Sequence, residues 1–149
     1  MKICFPTSSG GHLTQLMQLR PLWAKHDRFW VTFDKEDANS KLDGERVYYC
    51  HYPTNRNVPN LLRNTALALK VLRQECPDLI ITTGAAVAIP FFLMGRLMGT
   101  KTVYIEVFDR VDAPTLSGRI CQPLSDLFIV QWPEMEKVYA GSICLGSVF

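Results

Sequence analysis

Thr7-Ser8-Ser9-Gly10-Gly11-His12 sits directly behind the short apolar run Ile3-Cys4-Phe5. A strand that breaks into a Gly-Gly loop and then enters a helix is how α/β proteins build an anion site. The glycines let backbone N–H groups approach a phosphate, and the helix start adds unpaired donors and the positive end of its dipole. His12, at the mouth of this loop, brings an imidazole, a side chain able to act as a base or as a cation. A neutral imidazole could take a proton from an attacking hydroxyl, and an imidazolium could pair with a diphosphate. The pattern predicts a phosphorylated ligand, with His12 as base or as ligand.

Further residues with chemistry follow other strand-like runs. Glu106, Asp109 and Arg110 come directly after Thr102–Ile105. Glu106 could orient a sugar hydroxyl or serve as an alternative base, and Arg110 could grip a phosphate bidentately. A local ion pair is the plainer reading of the same residues. Arg56 opens a basic stripe with Arg63, Lys70 and Arg73, and no acid occurs from Thr54 to Gln74. This stripe is either a solvated face or a contact for anionic lipid head groups, which attract such residues by about 1 kcal/mol each. Trp132-Pro133 places a large aromatic on a polar loop, where it packs on its own rim or anchors a partner.

Several fingerprints are missing. Ser-Ser-Gly-Gly-His is not G-x-G-x-x-G, and no G-x-x-x-x-G-K-[ST] occurs. Asp34 ends the second strand-like run, but without the glycine fingerprint it does not make an NAD site. No G-x-S-x-G elbow or zinc-binding Cys/His cluster is present. Asp34-Lys35-Glu36-Asp37 reads as a solvated loop.

The elements that must position these residues alternate. Strands are predicted at Lys2–Phe5, Arg28–Phe33, Arg46–Tyr49, Leu79–Thr82, Thr102–Glu106, Leu127–Val130 and Ser142–Leu145. A first helix follows the glycine loop, burying Leu13, Leu16, Met17 and Leu19, with Pro21 ending or restarting it. A second runs from about Pro59 to Glu75, with Leu61, Leu62, Thr65, Ala66, Leu69 and Leu72 as its apolar stripe. A third covers about Ala86 to Met98, and shorter pieces cover Ser117–Leu124 and Glu134–Tyr139. This order predicts a Rossmann-like, doubly wound parallel sheet with helices on both faces. Ligands in such sheets sit beyond the carboxyl ends of the strands. That rule gathers Thr7–His12, His51–Asn57, Thr83-Gly84-Ala85, Glu106–Ser117 and Gln131–Glu134 onto one rim.

Composition sets the bounds. The chain has 149 residues, 48% of them hydrophobic and 20% charged, which reads as a single globular domain over 1–149. A net charge of +2 is too small to argue for nucleic acid. Five scattered cysteines with no C-x-x-C pair fit reduced thiols of the cytosol. The sequence enters a strand at once, so no signal peptide is expected. The 17 uncharged residues from Leu79 to Gly95 reach the short limit for a spanning helix. Gly84 and Pro90 break that stretch, so a strand followed by a helix is expected there. Pro90–Met98, apolar on nearly every side, is either buried or docked on a membrane or partner.

Taken together, several segments carry a family likeness. They are Ser8-Ser9-Gly10-Gly11-His12, Thr82-Thr83-Gly84-Ala85, Val103-Tyr104-Ile105-Glu106 with Arg110, Ser117-Gly118, and Asp126-Leu127-Phe128 leading to Val130-Gln131-Trp132-Pro133-Glu134. The chain resembles the PssD-type subunit of bacterial exopolysaccharide glycosyltransferases. It is also similar to the membrane-associated acceptor subunit of the eukaryotic two-chain transferase that adds the second N-acetylglucosamine to dolichol-diphosphate-linked sugar. The Gly-Gly-His loop is shared with a wider superfamily that includes the peptidoglycan transferase MurG.

The resemblance implies the N-terminal, acceptor-binding domain of a GT-B glycosyltransferase made as a separate chain. It implies a separate donor-binding subunit that holds the UDP-sugar, and a polyprenyl-diphosphate-linked acceptor on this chain. Ser8, Ser9, Gly10, Gly11 and Gly84 would face the acceptor phosphates, helped by Arg56 or Arg110. His12 is the first candidate for the base and Glu106 the second. Gln131, Trp132, Pro133 and Glu134 would face the partner. No metal or other cofactor is implied. The expected setting is exopolysaccharide or capsule synthesis, in the cytoplasm, peripheral on the inner face of the plasma membrane. The eukaryotic subunit usually has an N-terminal membrane helix, and none precedes Lys2-Ile3-Cys4 in this sequence. Attachment would then fall to the basic helix, the Phe91–Met98 region and the partner. Two rivals remain from other classes: a non-catalytic adaptor that recruits a catalytic subunit, and a stand-alone nucleotide-sugar or NAD enzyme.

Overall fold

Ile3 and Phe5 point to one side of their strand and Cys4 to the other, the period of two that a strand imposes. The same alternation sends Phe29, Val31 and Phe33 one way and Trp30 the other. A computed structural model describes residues 1–149. These runs form one sheet of seven parallel strands. They are β1 (Lys2–Pro6), β2 (Asp27–Thr32), β3 (Val47–Tyr49), β4 (Leu79–Thr82), β5 (Lys101–Ile105), β6 (Leu127–Val130) and β7 (Ile143–Cys144). Their order is β3-β2-β1-β4-β5-β6-β7. Chain direction across the sheet therefore reverses between β1 and β4, the switch point at which such sheets bind ligands.

Helices cover both faces. On one side lie α1 (Gly11–Gln18), α2 (Arg20–Trp23) and α3 (Glu36–Lys41). Leu13, Leu16, Trp23 and Ala38 from them pack on Ile3, Phe5 and Trp30. On the other side lie α4 (Val58–Glu75), α5 (Ala88–Leu97) and α6 (Leu116–Cys121). Their Ala68, Leu72, Phe91, Phe92 and Cys121 pack on Cys4, Phe29, Ile80 and Tyr104. The doubly wound expectation holds.

Three local expectations change. Pro90 does not interrupt α5, because the helix starts at Ala88 and Pro90 lies in its first turn, where no intrahelical donor is lost. Asp34–Asp37 is not all loop, since Glu36 and Asp37 open α3. The buried side of α4 is Asn60, Asn64, Ala68, Val71, Leu72 and Glu75, so of the expected stripe only Leu72 is buried. Asn60 and Asn64 can face inward because the loop backbone satisfies them. Asn60 Nδ2 donates to Pro53 O at 2.8 Å, and Asn64 both accepts from His51 N and donates to His51 O. Leu61 and Leu62 are left on the surface.

At the opposite end of the sheet an ion cluster ties α4 to two strands. Glu75 is 7% exposed and accepts from Tyr48 Oη and Lys2 Nζ, with Arg46 Nε 3.4 Å away. Burial acts to raise its carboxyl. The hydrogen bonds from Tyr48 and Lys2 and the charges of Arg46 and Lys2 outweigh that and hold it below the ordinary glutamate range. Its contribution is therefore complete above the unfolded-state value of about 4.3 and is lost as pH falls through the lower folded value. Replacing Glu75 by Gln is expected to cost about 2 kcal/mol at neutral pH. The urea midpoint should then decline less steeply with acidification than in the wild type.

Candidate active site

The loops after β1 and β4 open on a cavity of about 890 Å³ at the switch point. Gly10 shapes one wall. It caps α1 with φ 79° and ψ −135°, a conformation reserved for glycine. The amides of Ser8 and Ser9 donate to no acceptor in the protein, and Gly11 and His12 open α1, where amides lack an intrahelical partner. Gly10 N has another task, donating to Asp37 Oδ2 at 2.8 Å. Lys41 of the same helix donates to Thr14 Oγ1, which in turn donates to Gly10 O. Thus α3, read from sequence partly as loop, grips the glycine loop at two points.

His12 is fixed from both ends. Thr83 Oγ1 donates to His12 O at 2.7 Å, and His12 Nδ1 lies 2.9 Å from Thr83 O. A carbonyl oxygen only accepts, so Nδ1 carries the hydrogen and the lone pair of the neutral ring is on Nε2. Nε2 has no protein partner, and His12 lines the cavity. Gly84, at φ 109°, permits this: a Cβ there would lie 2.6 Å from Tyr104 Oη and 3.4 Å from His12 Cε1.

Arg56 arrives from the loop that Asn60 and Asn64 hold. Arg56 and Ala85 both adopt left-handed backbone, φ 48° and 73°, and both line the cavity. Such strain persists where the surroundings enforce it, and it concentrates at functional sites. The residues that begin α4 (Asn57, Val58) and precede α5 (Ala85, Ala86) complete the ring. Four helix N-termini, those of α1, α4, α5 and the short α6 (Leu116, Ser117), therefore face one space, with Arg56 and His12, and no Asp or Glu lines it. An anion is the matching occupant. Elsewhere the wall sets apolar Phe33, Ile89, Leu116 and Ile120 beside the uncharged polar Thr54, Asn55 and Ser117.

The structure separates the other candidates. Ser8, His12 and Arg56 line the cavity, and Gly84 backs His12, while Ser9, Gly10 and Gly11 shape the loop behind it. Glu106 is 1% exposed and lies beneath α6, with its oxygens bonded to Val107 N, Thr115 and Tyr139. It does not reach the cavity as expected. Arg110 is exposed and also outside the lining. Gln131 is buried: its Nε2 donates to Gln15 Oε1 and Glu106 O, and its Oε1 accepts from Val148 N. Trp132 is half-buried and donates to Phe108 O at 2.6 Å, so it packs on its own rim; Pro133 and Glu134 are exposed. The sequence reading placed Asp37 on a solvated loop and overlooked Asn60 and Asn64. The Asn57, Asn60, Asn64 spacing along one helix face was their only signal.

A parallel sheet in this order, with a glycine loop after β1 at the switch point, defines a GT-B-like Rossmann domain. Solved structures share it. MurG of Acinetobacter baumannii superposes with a TM-score of 0.74 at 16% identity, over 89% of this chain and 42% of that one. A UDP-N-acetylglucosamine 2-epimerase from Rickettsia bellii gives 0.74 at 14% identity, over 99% and 45%. The chain belongs to the family described as "Oligosaccharide biosynthesis protein Alg14 like", which its residues 4–148 match. It is 31% identical over 116 residues to the human protein named UDP-N-acetylglucosamine transferase subunit ALG14, covering 68% of this chain and 54% of that one. The Candida albicans protein of the same name is 26% identical over 155 residues, covering 89% and 71%. The chain spans about half the length of the human relative.

Two glycine variants test the geometry around His12. Gly84→Ala combines positive φ with a clash and is expected to cost about 2 kcal/mol or more by urea unfolding, and to shift the His12 imidazole NMR signals. Gly99→Ala, also at positive φ (77°) but with open space around it, should cost about 1 kcal/mol and leave those signals in place.

Proposed function

We propose that this chain is the acceptor-binding subunit of a two-chain UDP-sugar glycosyltransferase acting on a polyprenyl-diphosphate-linked sugar. The observation that carries this reading is the acid-free cavity ringed by four helix N-termini, with Arg56 and His12 in its wall and an apolar rim. A diphosphate suits the donors, and the first isoprenoid units suit Val58, Leu61, Leu116 and Ile120 at the mouth. Val58 and Leu116 are 64% and 73% exposed, an unusual cost for a surface that meets only water. No helix is long and apolar enough to cross a membrane. Peripheral attachment at the lipid surface through this rim, with Arg56 and Arg63 beside it, is part of the proposal.

The donor subunit is a separate chain carrying the UDP-sugar, as the names of the ALG14 relatives and the half-length match to MurG support. In the proposed step an acceptor hydroxyl attacks the anomeric carbon. The new C–O bond forms as the bond to the UDP phosphate breaks, so the configuration inverts. His12 Nε2 takes the hydroxyl proton and UDP leaves with the electron pair. Glu106 is not assigned the proton, because donors inside the fold occupy its oxygens. The setting proposed is assembly of a lipid-linked oligosaccharide. Exopolysaccharide or capsule synthesis at the inner plasma membrane is its narrower version, resting on the PssD resemblance alone.

The test is a transfer assay with labelled UDP-sugars and a lipid-diphosphate acceptor, with and without the donor chain. Turnover is expected only with both chains. His12→Ala should keep the complex and lower kcat about a hundredfold or more. Unchanged turnover in His12→Ala would instead favour a non-catalytic adaptor. Turnover by this chain alone would contradict the split-enzyme reading.

A further inference from the structure

Glu106 is buried among donors: the amides of Val107 and Thr115 and the hydroxyls of Thr115 and Tyr139. A side chain so enclosed cannot touch a ligand, yet its donors lead directly to the cavity. Thr115 caps α6, its Oγ1 accepting from Gly118 N at 2.9 Å while donating to Glu106 Oε2 at 3.0 Å. The next two residues, Leu116 and Ser117, line the cavity, as does Ile120 one turn later. Tyr139 comes from the far side, after the 3-10 turn Pro133–Glu136, and also accepts from Thr115 N at 3.1 Å.

The cluster has no slack. A Cβ on Gly118 would strike Tyr139 Oη, and would lie 2.6 Å from Glu106 Oε2 and 2.8 Å from Thr115 Oγ1. Glycine is required there for α6 to sit so close to β5. Burial first, then the hydrogen bond to Glu106 and the charge of that carboxylate, push the Tyr139 phenol well up, so it stays a donor. Tyr104 adds a second layer, with its hydroxyl 3.2 Å from Ser117 Oγ on the cavity wall.

We propose that Glu106, gripped by Tyr139 and Thr115, is a positioning residue that sets the apolar wall of the cavity and hence the affinity for a lipid-linked diphosphate. Tyr139 thereby tunes a ligand that it does not touch. This rests on the acceptor reading proposed above. It also gives the buried carboxylate a task other than proton transfer.

The experiment uses the full chain and farnesyl diphosphate as the probe, titrated by calorimetry. Wild type is expected to bind. Tyr139→Phe, which deletes one hydroxyl, and Thr115→Val should each bind about fivefold or more weakly, since small misplacements of a wall are costly. Thr115→Ser, which keeps the capping hydroxyl, should restore most of the affinity. Amide hydrogen exchange in 115–121 should accelerate in Tyr139→Phe while 11–18 is unchanged. Equal binding by wild type and Tyr139→Phe overturns this inference and leaves the acceptor reading standing. No binding by wild type overturns both. Weakened binding with exchange raised throughout the chain also overturns the inference, because the effect is then general loosening.

Discussion

The positive ends of α1, α4, α5 and α6 meet where the sheet reverses direction, and the wall between them contains no acid. Converging helix N-termini concentrate unpaired amides and like-signed partial charge in one space. Parallel topology forces this convergence, because every crossover returns its helix start to the carboxyl end of the sheet. The rest of the site follows from it. Gly10, Arg56, Gly84 and Ala85 all take positive φ around that space. Asp37 is the carboxylate that does approach the glycine loop. It binds Gly10 N from the α3 side and leaves the cavity wall free of negative charge.

The second demand on the site is apolar. Leu61, expected in the core from its helical spacing, stands at the cavity mouth with Val58, Leu116 and Ile120. Two asparagines take the first two inner positions of α4 and hold the loop that presents Arg56. In this first half of α4, polar residues inside and leucines outside invert the usual arrangement of a surface helix, which Ala68, Val71 and Leu72 restore further along. The inversion makes sense when the ligand has a charged head and a hydrocarbon tail. A diphosphate on a polyprenyl chain has both.

The sheet was legible because its signals are local. Seven short apolar runs separated by turn residues mark all seven strands, with no end displaced by more than one residue. The glycine loop, His12, Arg56 and Gly84 were legible for the same reason, since each stands at a strand-to-helix boundary. What escaped was tertiary. Glu106 follows β5 and looked as though it should enter the cleft, but it shares the face of Tyr104, two residues earlier, and that face lies under α6. Gln131 and Trp132 looked like interface residues, yet their polar groups serve Gln15, Glu106 and Phe108 within the fold. The buried side of α4 was misjudged because no local rule shows that an asparagine has found its partners.

The central claim is that the switch-point cavity is a diphosphate site. Its most direct test is an amide NMR titration of the full chain with farnesyl diphosphate. The account requires the largest shifts at Ser8, Ser9, Gly11 and His12, with smaller ones at Arg56, Ala85 and Ala86. A second pocket at the opposite end of the sheet, formed by Arg96, Gly99, Thr100, Lys101 and Asp126, where Asp126 pairs with both cations, should stay unperturbed. Shifts centred on that second pocket, or spread evenly over the basic surface, would contradict the account.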